Sequence, residues 1–209
     1  VYTVRKATQG LSNYLLQHAG GKPQSVAIAY DSRIKGVLFS KESAAVLAAN
    51  GITARIVKEL QPVPVLSFAV RELRCDAGIM ITASHNPAIY NGIKVFTAGG
   101  RDASAQQTDE IEEYIGRIEN EKVEAMEYDR ALETGLIQEI YPLNEYLDNI
   151  IDNIDMQAIR SSRLKIALDP MYGVSETSIK TILLTARCEV DTIHERHDTL
   201  FGGKLPAPT

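Results

Sequence analysis

Cysteine is scarce. Cys75 and Cys188 are the only two in 209 residues, too few for a disulfide framework or a zinc site to organise the chain. Basic charge is not in excess either. With 22 Lys and Arg against 27 Asp and Glu, the net charge is −5 and the pI about 5.4. That balance gives no broad electrostatic footprint for nucleic acid or an anionic membrane. No run approaches the roughly 20 apolar residues of a membrane-spanning helix, and no signal segment of basic, apolar and small residues opens the sequence. We therefore expect a soluble, cytoplasmic protein with neither nucleic acid nor membrane as partner. What remains is ordinary globular composition, 44% hydrophobic and 23% charged, enough to bury a real core. The chain opens at Val1 without Met and closes on the loop-like run Phe201-Gly202-Gly203-Lys204-Leu205-Pro206-Ala207-Pro208. Both ends suggest a piece of a longer protein. Its oligomeric state stays open.

Alternation of strand and helix dominates the pattern. Leu11, Tyr14, Leu15 and His18 share a face at helical spacing, predicting a helix over about 5–18 that Gly20-Gly21-Lys22-Pro23 ends. Strands are predicted at 25–30, 52–57, 77–82 and 92–96, with helices over 40–50 and from Pro62 and Pro64 to about Leu73. The fold class is thus α/β, a mixed and mostly parallel sheet sandwiched between helices. Its last pair, joined only by Ala83 to Asn91, suits an antiparallel return. Ser104 and Gln107 stand at capping-box spacing before a stripe of Ile111, Ile115 and Ile118. Pro142 fits the first turn of a helix carrying Leu143, Leu147, Ile150 and Ile154. A strand at 165–169, a helix from about Val174 and a strand at 189–193 begin a second βαβ unit, left incomplete. The expected domains are 1–155 and 162–209.

Chemistry concentrates in Thr82-Ala83-Ser84-His85-Asn86-Pro87, followed by Tyr90-Asn91-Gly92-Ile93-Lys94. This loop follows directly on a buried strand, which places Ser84 at the carboxyl end where open α/β sheets bind ligands. A hairpin-like return could bring the Lys94 ammonium back beside it. Adjacent Ser84 and His85 do not make a hydrolase, since the Gly-x-Ser-x-Gly elbow is lacking. His194-Glu195-Arg196-His197 lacks the His-Glu-x-x-His frame of zinc peptidases. Gly99-Gly100 and Gly202-Gly203 lack nucleotide-binding spacing and read as turns.

The hexapeptide Thr82-Ala83-Ser84-His85-Asn86-Pro87 resembles the phosphoserine loop of the α-D-phosphohexomutases, the phosphoglucomutase and phosphomannomutase family. The likeness runs outward through Asp76 to Ile81 and Tyr90 to Val95, and to Tyr30-Asp31-Ser32-Arg33. Thr3 to Gly10 is similar to the first helix of bacterial phosphoglucomutases. Leu168 to Gly173 and Phe201 to Pro208 resemble parts of the second domain. The resemblance implies an isomerase that interconverts glucose 1-phosphate and glucose 6-phosphate through phosphoserine and a hexose 1,6-bisphosphate. Phosphomannomutase, phosphopentomutase and a non-catalytic binding module with a vestigial loop are the alternatives.

On this likeness Ser84 carries the phosphoryl group, and Lys94 is a cation and candidate acid/base. Arg33 is a second cation with a planar fork suited to phosphate, while His85 and Asn86 shape the loop and touch substrate. Glucose 1,6-bisphosphate would be the activator. The resemblance also implies Mg²⁺ held by the Ser84 phosphate and by three aspartates of an Asp-Gly-Asp-x-Asp-Arg loop. That motif does not occur among these residues, so the piece alone is expected to be inactive.

Overall fold

In the strand Ser25–Tyr30, β1, successive side chains point to opposite faces of the sheet, and the sequence uses both. Val26, Ile28 and Tyr30 join one hydrophobic cluster, while Ala27 and Ala29 join another. A strand buried on both faces needs helices on both, which the computed structural model shows. It describes residues 1–119 and 123–207, so Pro208 of the family-like closing run lies outside the described residues. On the first face pack α1 (Tyr2–His18), α2 (Gly36–Ala49), α4 (Ala105–Gly116) and α5 (Tyr128–Glu133). On the second lies α3 (Val63–Glu72) through Leu66, Ala69 and Val70. Small residues beneath α3 let it approach closely. A Cβ on Gly78 would stand 2.7 Å from Val70 Cγ2.

The sheet adds β2 (Thr53–Val57), β3 (Ala77–Ile81), β4 (Ile93–Thr97), β5 (Arg101–Asp102) and β6 (Ile137–Ile140), in the order β5-β4-β3-β1-β2-β6. Strands β3, β1, β2 and β6 are parallel; β4 is antiparallel to both β3 and β5. The mixed, mostly parallel sheet is as expected. The chain leaves β1 toward β2 through α2 on one face and returns to β3 through α3 on the other. The two carboxyl ends of β1 and β3 therefore flank the place where the winding reverses, the crevice that open α/β sheets use for ligands.

The expected capping box forms in both directions. The Gln107 amide donates to Ser104 Oγ, and the Ser104 amide to the Gln107 side chain. Two stripes end sooner than expected. Ile118 lies beyond α4, and Ile154 beyond α6 (Leu143–Asp152), whose end cap is Asn153. The second unit holds α7 (Met156–Ser162), β7 (Lys165–Leu168), α8 (Glu176–Thr185) and β8 (Glu189–Thr192), with β7 and β8 parallel. Met156, Ala186 and Cys188 form its small core, against which Ile151 of α6 packs. Helix α6 also faces the first unit, where Tyr146 meets Phe68 edge-on with ring centroids 5.7 Å apart. Among the described residues no helix is long and apolar enough to cross a membrane.

Candidate phosphoserine site

Asp31 continues the ladder past β1, its amide donating to the Ile81 carbonyl at 3.2 Å. This register brings the residue after β1 against the residue after β3. The Thr82 hydroxyl donates to Asp31 Oδ2 at 2.5 Å and accepts from the Ser84 amide at 3.0 Å. Asp31 Oδ1 accepts the Arg33 amide at 3.0 Å, closing a turn that aims the Arg33 side chain inward. Neither Asp31 nor Thr82 carries a role predicted from sequence, though both stand in the words that draw attention. Their partnership links positions 51 apart in sequence.

Ser84 itself takes φ 53°, left-handed backbone that an L-residue adopts at a cost of about 1 kcal/mol. Its hydroxyl stands at the surface, 3.3 Å from His85 Nδ1, and His85 and Asn86 are exposed beside it. Two successive turns shape the rest, the Asn86 amide donating to the Ala83 carbonyl and the Tyr90 amide to the Pro87 carbonyl. Asn91 ties the loop to the turn after β1, its side-chain amide donating to the Ile34 carbonyl at 3.0 Å.

The expectation for Arg33 is a cation open to phosphate, and the structure places it otherwise. Its side chain is completely buried. Nη1 donates to the carbonyls of Pro87 at 3.0 Å and Tyr90 at 2.9 Å. Nη2 donates to those of Ser84 at 2.8 Å and Asn86 at 2.6 Å. The fork that would match a phosphate is filled by main-chain oxygens of the loop that bears Ser84. Burial pulls the guanidinium below its ordinary pKa, and the Asp31 carboxylate, 3.7 Å from Nε, opposes that. Lys94, the second residue of β4, pairs across the ladder with Met80. Its ammonium lies 2.9 Å from Asp102 Oδ2 and 5.6 Å from the Phe96 ring centroid, with the side chain about half exposed. The antiparallel return exists, but the ammonium it carries is paired with Asp102 and not with Ser84.

The described residues do not supply the oxygen shell that Mg²⁺ takes. Among them no group of three His, Cys, Asp or Glu side chains converges, and Asp31 is committed to Thr82 and Arg33. The two histidines of the 194–197 run part company. His194 Nδ1 lies 3.0 Å from Asp169 Oδ2, whereas His197 Nε2 reaches the Ser32 carbonyl at 3.2 Å.

Residues 1–122 match the family model described as phosphoglucomutase/phosphomannomutase, alpha/beta/alpha domain I. The chain belongs to that family. Residues 144–209 match its alpha/beta/alpha domain II, a span that begins within α6. A phosphoglucomutase of Staphylococcus saprophyticus is 38% identical over 185 residues, covering 87% of this chain and 33% of the relative. A phosphoglucosamine/phosphogalactosamine mutase of Sulfurisphaera tokodaii is 30% identical, covering 90% of this chain and 40% of the relative. A crystal structure from Thermus thermophilus, described as a phosphomannomutase, superposes with a TM-score of 0.87 at 26% identity. That match covers 100% of this chain and 45% of the other. The chain thus spans about a third to two-fifths of the length of these curated phosphohexomutase relatives.

The family-like closing run starts from a turn held by acid. The Asp198 carboxylate accepts the amides of Leu200 at 2.9 Å and Gly202 at 3.1 Å. These two bonds hold its pKa below the ordinary aspartate value. A depressed carboxylate contributes its full stabilisation above the unfolded pKa of about 3.9 and loses it as pH falls through the folded value. Asp198→Asn should therefore destabilise the chain at about pH 7 and cost progressively less toward about pH 3. Chemical denaturation across that range is the check. A cost that does not change with pH would refute the carboxylate's role in the turn.

Proposed function

We propose that this chain is the Ser84-bearing part of a phosphoglucomutase that interconverts glucose 1-phosphate and glucose 6-phosphate. One observation carries the reading. Ser84 presents an exposed hydroxyl, beside His85 Nδ1, at the winding reversal, on a loop whose backbone is locked from beneath by Thr82 and Arg33. Phosphoryl transfer asks for positioning and charge neutralisation more than for covalent help. In the proposed cycle the phosphoryl group bound to Ser84 Oγ passes to a sugar hydroxyl, breaking the Oγ–P bond and forming an O–P bond to the sugar. The proton of that hydroxyl passes by way of the acid/base group to the freed Ser84 oxygen, and when the bisphosphate returns its other phosphoryl group to Ser84 Oγ the proton goes back to the sugar oxygen. Lys94 is assigned as the cation and acid/base of this exchange, for which its ammonium must leave Asp102. His85 and Asn86, exposed at the loop, are assigned to substrate. Arg33 is assigned to hold the loop rather than the phosphate. The chain by itself is proposed to be inactive, with residues 1–155 as the phosphoserine domain and 162–209 as the start of the second.

Intact mass and peptide mapping of the whole protein after incubation with glucose 1,6-bisphosphate test this. One phosphate on Ser84, absent in Ser84→Ala together with mutase turnover, is the expected result. Turnover with Ser84 unmodified would reject the serine assignment. No modification and no turnover would favour a binding module. A preference for mannose or amino-sugar phosphates would keep the chemistry and change the substrate.

A further inference from the structure

The guanidinium that holds the Ser84 loop has a second neighbour, from the far end of the chain. Phe201, in the 3-10 turn Phe201–Gly203, lays its buried ring over Arg33 with 5.2 Å from Cζ to the ring centroid. Beside it His197 Nε2 donates to the Ser32 carbonyl at 3.2 Å, bridging 165 positions of sequence. The ring is placed under constraint. Phe201 takes φ 51°, and the Asp198 carboxylate fixes the turn around it.

We propose that Phe201 and His197 form a latch through which the seating of the second unit sets the order of the Ser84 loop. Its functional meaning rests on the phosphoserine reading above. Both are positioning residues, acting on Ser84 through Arg33 and its turn. The physical route is short. Arg33 spends its Nη groups on four loop carbonyls and keeps a buried Nε without a hydrogen-bond partner, 3.7 Å from Asp31. With the ring in place, the cation faces aromatic carbon, which attracts it and excludes water. With the ring gone, water reaches the guanidinium and competes with the carbonyls for its donors. The loop then loses the exclusive hold that keeps Ser84 in its left-handed conformation.

Hydrogen exchange over residues 82–92, followed by mass spectrometry on this chain, reads that hold directly. Phe201→Leu should speed loop exchange on the order of tenfold, the factor a desolvated cation–π contact supplies. Phe201→Tyr, which keeps the ring, should restore the original rate. His197→Ala should give a smaller acceleration. Coupling is reciprocal, so Arg33→Lys should speed exchange at residues 198–203 while residues 165–168 and 189–192 stay protected. Unchanged loop exchange in Phe201→Leu, with those two strands still protected, would overturn the latch. If Phe201→Leu unfolds the second unit, His197→Ala decides, and an unaltered loop there overturns it equally. The two readings fail separately. A coupled loop with no phosphate on Ser84 keeps the latch and rejects the mutase; a phosphorylated Ser84 on an uncoupled loop does the reverse.

Discussion

Arg33→Ala is expected to cost about 3–5 kcal/mol, the range for removing one partner from a buried charged network. The side chain is fully buried and serves four carbonyls, so truncation strands Ser84, Pro87, Tyr90 and Asn86 oxygens at once. It also leaves Asp31 with an uncompensated charge. Some of those carbonyls lie on an exposed loop and recover water, which keeps the cost from being the sum of four bonds. For a chain of this size the melting temperature should fall by about 10 °C. Arg33→Lys should recover only part, because three donors on one nitrogen cannot span the four acceptors. Thermal and urea denaturation check both variants. A loss below about 1 kcal/mol for Arg33→Ala, the scale of an exposed ion pair, would mean that the loop is held by something else.

Gly100→Ala is expected to cost about 3 kcal/mol, away from the Ser84 loop, as left-handed strain of about 1–2 kcal/mol adds to overpacking of about 1–3 kcal/mol. Gly100 takes φ 74° between β4 and β5, and a Cβ there would stand 2.3 Å from the Ser67 carbonyl oxygen. Backbone cannot yield as a flexible side-chain tip can. The contact with α3 is the second casualty, since Ser67 Oγ donates to the Gly100 carbonyl at 2.6 Å. Gly99 supplies the control. It takes φ 86° with nothing within 4 Å of an added Cβ, so Gly99→Ala should cost only the backbone part, about 1–2 kcal/mol. Equal losses at the two positions in urea denaturation would refute the steric argument.

Much of this architecture is legible because the signals are local. The apolar run 25–30 becomes β1 at the expected residues, and the Ser104 capping box forms as its spacing implies. Helix α2 begins at Gly36, ahead of the expected 40, because Lys35 opens it in left-handed backbone at φ 64°. No residue pattern announces that. The short elements α5, β6 and α7 are not anticipated, since four to seven residues carry too little periodicity to stand out. In the candidate site, the place of the Ser84 loop is readable from its position after a buried strand, and the part assigned to Ser84 comes from the resemblance of its hexapeptide to the family's phosphoserine loop. The Asp31–Thr82 bond is not, because it exists only once β1 and β3 lie side by side in register. The inward turn of Arg33 is of the same kind: the residue is visible, but the carbonyls that claim it gather only in the folded loop.

Those carbonyls have a consequence for how such a loop can change over time. Every amino acid brings the same main-chain oxygen, so the four acceptors of Arg33 survive whatever side chains positions 84, 86, 87 and 90 carry. The clamp recognises a path of backbone and is blind to its decoration. The loop tip, with Ile89 and Tyr90 largely exposed, is therefore free to drift in sequence while its shape is inherited unchanged.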